Sequence, residues 1–202
     1  MEIMTTVALA NSWRQYHYIN HLAIKDVKVY CEDVVQSTYF WKAFQHFFKT
    51  KIEINKFLPA PQHVYDNIND YHYRRVDAGG SGNMYKQKEY ELIDTYDFFK
   101  QYLKVDLYPT HPLVYSIINS DINVKGHHKG IPYNTKKNII NNLNGIDLGD
   151  SRYFKNLDEL IEKITTLANA DTYLGSNCSW SNIAPYFDTT VILLTEDRYA
   201  WN

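Results

Sequence analysis

Cysteine is scarce in this chain of 202 residues, which contains only Cys31 and Cys178. The two lie far apart in the sequence and show none of the spacings that metal-binding cysteines use. Their number and spacing are typical of reduced thiols in a cytosolic protein. A disulfide framework and a cysteine-based zinc site are therefore not expected.

Long apolar runs are also absent from the sequence. No run approaches the ~20 residues that a membrane-spanning helix needs. The first residues, MEIMTTVALANSW, lack the basic start and the long apolar core of a signal peptide. These absences predict a cytoplasmic protein with no membrane partner.

Positive charge is not in excess, since 21 Lys and Arg face 23 Asp and Glu and the net charge is −2. A nucleic-acid binder normally presents a basic face, so this balance argues against DNA or RNA as the main partner.

Metal ligands are sparse too. His17 and His21 are four apart on a predicted helix, but no third ligand follows at a useful spacing. We therefore predict neither a metal ion nor a cofactor.

Aromatic residues, in contrast, are plentiful, with 18 Tyr and 4 Trp. One interpretation is that they fill the core and ordinary surface. The other is that some of them stack on a flat ligand such as a base or a sugar. The sequence leaves both interpretations open.

The first half alternates strand and helix patterns. Strands are predicted over residues 5–10, 26–31 and 51–57, and helices from Ser12 to about residue 22 and over residues 34–49. Ser12 and Asp33 are the predicted N-caps of these helices. This order is typical of an α/β fold with a parallel sheet.

A less regular stretch follows, with a predicted strand over residues 71–76 and a predicted helix over residues 89–103. Between them lies the glycine-rich run 78–83, AGGSGN, which matches neither the dinucleotide-binding nor the Walker glycine spacing. It is either a plain mobile loop or a loop that covers a ligand. Asp77 precedes it directly.

A second α/β series begins after the prolines of residues 108–112, where we place the boundary between domains 1–108 and 109–202. Strands are predicted over residues 113–118, 145–148, 172–174 and 189–194, and helices over about 134–143, 156–168 and 181–187. The last strand, TTVILL, is apolar throughout, which is typical of a strand buried on both faces of a parallel sheet. The predicted fold class is α/β, with two small Rossmann-like halves and mainly parallel sheets.

The turn at Gly175–Ser179 connects a predicted strand to a predicted helix. Where a parallel strand ends and a helix begins, free backbone N–H groups and the helix dipole favour an anion. The sequence therefore predicts a phosphate-carrying ligand at this turn. Cys178 is either a nucleophile activated by the helix N-terminus or simply a small turn residue.

Residues 113–194 carry a pattern found in a known family. A Leu-rich helix is followed by Ala170-Asp171, a strand, Gly175 and the turn Asn177-Cys-Ser-Trp-Ser-Asn-Ile-Ala184. This series resembles the second domain of GT-B glycosyltransferases, particularly the heptosyltransferase-like group, with its D-[ST]-G-x-x-H-x-A turn. Asn177 stands at the Asp position of that turn, Ser179 at the Gly position and Asn182 at the His position. The chain would be a much reduced version of that fold.

The resemblance implies a site for a nucleotide-sugar donor. Its diphosphate would lie against the turn, at Gly175, Ser176, Asn177, Ser179 and Asn182, with positive charge supplied by His127 or Lys129. Asp150 and Ser151 follow a predicted strand of the same sheet. For Asp150 a helix cap and a ribose or sugar contact remain equally open. Domain 1–108 would hold the acceptor, and Asp77 is the candidate general base, although a solvated loop carboxylate is the plainer interpretation.

Three functions are compatible with these patterns. The first is a small glycosyltransferase that moves a sugar from a nucleotide donor to an unknown acceptor. The second is a protein that binds a nucleotide or nucleotide sugar without catalysis, for sequestration or regulation. The third is an assembly protein whose tyrosine-rich surface binds other proteins.

Overall fold

In the computed structural model the chain forms two compact units, one of Met1–Asp106 with Lys155–Ile161 and the other of Leu107–Phe154 with Glu162–Asn202. The structure describes residues 2–5, 9–21, 26–31, 33–49, 53–59, 102–104, 108–118 and 131–194. Every strand pair in both sheets is parallel. The predicted α/β class with parallel sheets is thus confirmed, while the roles assigned to domains 1–108 and 109–202 stay predictions.

Several predicted features lie outside the described residues. They are the strand 71–76, Asp77, the glycine-rich run 78–83, most of the helix 89–103, His127 and Lys129. Among the described helices, none combines the length and apolar character needed to cross a membrane. The cytoplasmic location stays a prediction.

The first unit is a strand–helix–strand–helix–strand series. Its strands are hydrogen-bonded in the order β1-β2-β3. The elements are β1 (Glu2–Thr5), α1 (Leu9–His21), β2 (Asp26–Cys31), α2 (Val34–Phe47) and β3 (Glu53–Pro59). The sequence predicted β2 with its observed bounds and placed β3 two residues early.

The predicted first strand over residues 5–10 is wrong. The strand ends at Thr5, and α1 already includes Leu9 and Ala10. Leu9, Trp13 and Tyr16 recur at helical spacing and are all buried, so this apolar face favours the helix over the short β-type run. Ser12 consequently lies inside α1 and is not its N-cap.

Aromatic rings form the contact between α1 and α2. The ring centroids of Trp13 and Phe44 are 5.1 Å apart, and those of Tyr16 and Trp41 are 5.2 Å apart, both edge to face. The predicted cap of α2 is confirmed, because Asp33 Oδ1 accepts a hydrogen bond from the Gln36 amide at 2.9 Å. These aromatic residues of α1 and α2 therefore serve the core.

The second unit has four parallel strands in the order β5-β4-β6-β7. Its elements are β4 (Val114–Ser116), α3 (Tyr133–Ile140), β5 (Ile146–Asp147), α4 (Leu157–Ala168), β6 (Thr172–Gly175), α5 (Ser179–Ile183) with a 3₁₀ turn at Ala184–Phe187, and β7 (Thr190–Leu193). Residues 157–161 of α4 belong to the first unit. Tyr115, Ile117 and Ile131 are the centre of one apolar cluster, which α3 covers with Ile139 and Ile140.

The last strand, β7, is less buried than its sequence predicted. It ends the described strand order, and the side chains of Ile192 and Leu193 are 49% and 38% exposed. The expectation of a strand buried on both faces is therefore wrong. The composition of TTVILL favours β structure, but burial depends on the place of the strand in the sheet, and the central places belong to β4 and β6.

Candidate functional site

The carboxyl ends of β4, β5 and β6 meet at one edge of the second sheet, because the three strands are parallel. The strand order reverses here: β5 lies on one side of β4, and β6 lies on the other. In open parallel sheets a ligand crevice forms outside the carboxyl ends at such a reversal. The residues predicted to bind phosphate that the structure describes end β6 or follow β5 or β6 at this edge: Asp150, Ser151, Gly175, Ser176, Asn177, Ser179 and Asn182.

Gly175 lies in the tightest contact between β6 and β4. A Cβ atom at this position would be 2.1 Å from the carbonyl oxygen of Ser116 and 2.7 Å from the hydroxyl of Tyr173. Only a residue without a side chain fits there. The need for glycine at this position therefore comes from the approach of the two strands, whatever the ligand.

Ser176 is fully buried, and both of its hydrogen-bonding groups are used within the fold. Its amide donates to the Ser116 carbonyl at 3.0 Å, and its hydroxyl accepts from the Ile118 amide at 3.0 Å. Loss of a hydrogen bond to this part-buried amide would be unfavourable, so the hydroxyl stabilises the chain where it leaves β4. The predicted phosphate contact of Ser176 is not tested by this arrangement, but the residue has a clear structural role.

The other amides of the turn divide into two groups. The Cys178 amide donates to Ser181 Oγ at 3.0 Å, as in a capping box. The amides of Asn177 and Ser179 donate to no acceptor within the described part of the chain. Two N–H donors of the predicted phosphate cradle thus remain available for a ligand.

Asn177 and Asn182 lie next to each other. The side-chain amide of Asn182 donates to the Cys178 carbonyl at 2.7 Å and to Asn177 Oδ1 at 3.4 Å. These are the two positions where the resembled family has Asp and His. The side chains therefore form a neutral pair that contacts the backbone of the turn and contributes no charge.

The loop after β5 is tied to the rest of the edge through one carbonyl group. The Gly149 carbonyl accepts from Ser116 Oγ at 2.7 Å and from the indole nitrogen of Trp180 at 3.0 Å. Gly149 itself has a φ of 67°, a left-handed conformation that glycine adopts without strain. Its amide donates to Asp147 Oδ1 at 2.8 Å. The ends of β4 and β5 and helix α5 are thereby held together.

Asp150 caps the turn of this loop and pairs with Arg152. Its carboxylate accepts from the Arg152 amide at 2.9 Å and from the guanidinium Nε at 3.0 Å. Burial raises the pKa of the Asp150 carboxyl, but the hydrogen bonds from Arg152 and the charges of Arg152 and Lys163 outweigh it, so that the pKa is lowered. The helix cap at α4 is instead Asn156, which accepts from the Glu159 amide at 2.9 Å. Ser151 is buried beside Asp150.

Cys178 has the features of a protonated thiol. Burial raises its pKa, as does the charge of Asp150, and the hydrogen bonds from Tyr173 and from backbone amides do not offset them. Its Sγ atom lies 3.3 Å from the Tyr173 hydroxyl. Since the thiolate is the nucleophilic form, the structure favours the interpretation of Cys178 as a small turn residue.

Sequence reasoning missed two exposed residues at this edge, Arg152 and Tyr153. The guanidinium carbon of Arg152 lies 5.6 Å from the centroid of the Tyr153 ring, within the range of a cation–π contact. Lys163 Nζ donates to the Tyr153 carbonyl at 3.1 Å. The signal was a basic and an aromatic residue directly after Asp150-Ser151.

Within the described ranges, no group of three or more His, Cys, Asp or Glu side chains is arranged to hold a metal ion. Comparison with protein-family models, with curated proteins and with solved structures found no match to this chain.

Proposed function

We propose that the second unit binds a nucleotide, with its phosphates at the carboxyl edge between β4 and β6, and that it does so without catalysis. The observation that carries this proposal is the pair of unused amides of Asn177 and Ser179 at the reversal of the strand order. Backbone N–H groups in such a turn are well suited to phosphate oxygens. Arg152 is partly exposed at the same edge, where its guanidinium is paired with Asp150.

The side chains around these amides favour binding over chemistry. A general base works best when its pKa lies near the working pH, whereas the Asp150 carboxyl has a lowered pKa and is held by Arg152. Asp147 accepts a hydrogen bond from its own loop, and the raised pKa of Cys178 keeps its thiol protonated. These groups can orient a nucleotide, but Asp150 is a poor proton acceptor and Cys178 a poor nucleophile.

Transfer of a sugar from a nucleotide sugar is the second candidate function. It is supported by the contact between Asn177 and Asn182, the positions of Asp and His in the GT-B glycosyltransferase pattern. In this function Asp77 would supply the general base and the first unit the acceptor site. We also propose that the two units are Rossmann-like halves. The parallel strand order β1-β2-β3 supports this for the first unit, and the reversal of strand order at β4 supports it for the second.

Calorimetry with UDP, GDP, ADP and inorganic pyrophosphate tests the binding site. Asn177→Asp places a carboxylate beside the unused amides. At about 6 Å from a phosphate and an effective dielectric constant of about 20, this charge costs about 3 kcal/mol, or roughly 100-fold in Kd. Asn144→Asp is the matched control, because Asn144 is exposed and precedes β5, at the opposite edge of the sheet.

The expected result is nucleotide binding that Asn177→Asp weakens and Asn144→Asp leaves unchanged. Absence of binding by all three nucleotides, or equal effects of the two variants, would contradict the proposed site. Chromatography of the recovered ligand separates the two candidate functions. UDP-sugars or GDP-sugars recovered intact support binding alone, whereas release of the nucleoside diphosphate supports transfer.

A further inference from the structure

Tyr153 is an exposed aromatic residue whose backbone is held by hydrogen bonds. Its side chain is 69% exposed. Its amide donates to the Asp150 carbonyl at 3.0 Å, and its carbonyl accepts from Lys163 Nζ at 3.1 Å. An exposed tyrosine needs no explanation by itself, but this one is held by both of its backbone polar groups.

The ring is also fixed by its neighbour. Arg152 lies against it at 5.6 Å, and the guanidinium is in turn bound by both carboxylate oxygens of Asp150, each 3.0 Å from Nε. A guanidinium against an aromatic face occupies one side of the ring. With 69% of the side chain exposed, the ring retains surface for a second flat group.

The place of Tyr153 in the fold relates it to the phosphate site. It lies on the loop that follows β5, and this loop is attached to α5 by the hydrogen bond from Trp180 to Gly149. The charges of Asp150 and Arg152 act on Cys178, in the turn after β6. The exposed ring and the unused amides thus belong to the same edge of the same unit.

We propose that Tyr153, supported by Arg152, is the surface on which the base of the bound nucleotide stacks. The inference rests on the proposed function, because it needs a nucleotide whose phosphates lie at the turn after β6. Stacking on an aromatic ring accepts any base, since every base has a π face. The site therefore binds nucleotides with little discrimination among bases and distinguishes them from free phosphate.

The test compares ADP and inorganic pyrophosphate by calorimetry on the full chain and its variants. Tyr153→Ala removes the ring and is expected to weaken ADP binding about ten-fold or more, as loss of one stacked base does. Pyrophosphate has no base, so its affinity stays unchanged. Tyr153→Phe keeps the ring and is expected to bind ADP like the original chain. Because the ring is exposed, its removal leaves the thermal midpoint unchanged.

Tyr108→Ala is the matched control, since Tyr108 is 68% exposed and bonds through its amide to the Asn169 side chain, which precedes β6 at the opposite edge. This variant is expected to bind both ligands normally. Normal ADP binding by Tyr153→Ala would overturn the stacking role alone and leave the proposed function intact. Equal weakening of ADP and pyrophosphate would also overturn it. If the original chain bound neither ligand, both proposals would fall.

Discussion

Replacement of Gly175 by alanine is expected to destabilise the second unit. The new Cβ would lie 2.1 Å from the carbonyl oxygen and 2.9 Å from the carbonyl carbon of Ser116, where ordinary contact begins at 3.4 Å. These are backbone atoms of the central strand β4, so no side-chain rotation relieves the clash. The carboxyl ends of β4 and β6 must separate by roughly 1 Å, which is a severe case of overpacking.

The separation also stretches the hydrogen bond from the Ser176 amide to the Ser116 carbonyl, now 3.0 Å long. Overpacking costs about 1–3 kcal/mol and a lost hydrogen bond about 0.5–1.5 kcal/mol. Together they lower the free energy of unfolding by about 3 kcal/mol for Gly175→Ala. A loss of this size is a large part of the stability of an ordinary domain.

Urea denaturation followed by circular dichroism measures this loss, and hydrogen exchange of the β6 amides locates it. The matched control is Gly145→Ala, in which the Cβ would meet the Leu113 carbonyl at 2.8 Å and its side chain at 3.0 Å. This milder clash is expected to cost about 1 kcal/mol. Equal losses in the two variants, or a Gly175→Ala protein as stable as the original, would refute the close approach of the strands.

Three further outcomes are expected. Ser176→Ala removes the acceptor of the part-buried Ile118 amide and lowers the free energy of unfolding by about 0.5–1.5 kcal/mol in urea denaturation. The lowered pKa of Asp150 stabilises the folded chain at any pH above the ordinary carboxyl pKa of about 3.9. This stabilisation is lost as the pH falls through the lowered pKa. Arg152→Ala raises this pKa towards its ordinary value, visible in a carbon NMR titration, and so reduces the stability that acid removes. The Cys178 thiol, whose pKa is raised by burial, reacts with iodoacetamide at neutral pH more slowly than a free thiol.

Each outcome has a control. Ser179→Ala removes a hydroxyl from the same turn without removing the bond that Ser176 makes, so its stability should equal that of the original chain. For the titration, an Asp150 carboxyl that keeps its lowered pKa in Arg152→Ala would show that Arg152 is not the cause. The alkylation rate is measured in a Cys31→Ser background, and a rate equal to that of glutathione would contradict a thiol with a raised pKa.

Local signals in the sequence were sufficient for some elements. The bounds of β2 and the Asp33 cap of α2 followed from a short β-type run and from a capping residue before an apolar periodic segment. The first strand failed because Leu9 and Ala10 fit both a strand and the start of α1. Which pattern wins depends on packing against α2, and that contact is not local in the sequence.

The sequence was sufficient to predict which residues lie at the carboxyl edge of the second sheet, but not which hydrogen bonds join them. Strand–turn–helix order placed the residues from Gly175 to Asn182 after β6, and parallel strands then brought Asp150 to the same edge. The Gly149 carbonyl accepts hydrogen bonds from both Ser116 and Trp180, and this depends on which strands are neighbours in the sheet. The sequence pattern does not specify that order. For the same reason the hydrogen bond from the Ile118 amide to the Ser176 hydroxyl could not be predicted from the sequence.

The balance of charge at this edge sets the strength expected of nucleotide binding. Asn177 and Asn182 are neutral where the resembled family has a carboxylate and an imidazole, so they neither repel nor attract a phosphate. Among the described residues near the turn, Arg152 is largely compensated by Asp150, and Lys163 donates to a backbone carbonyl. The carboxylates of Asp147 and Asp150 balance these two positive charges, so a diphosphate bound here would depend mainly on the two backbone amides. Such a site binds reversibly and loses affinity as salt is added, which suits a protein that holds and releases a nucleotide better than one that must stabilise a departing diphosphate.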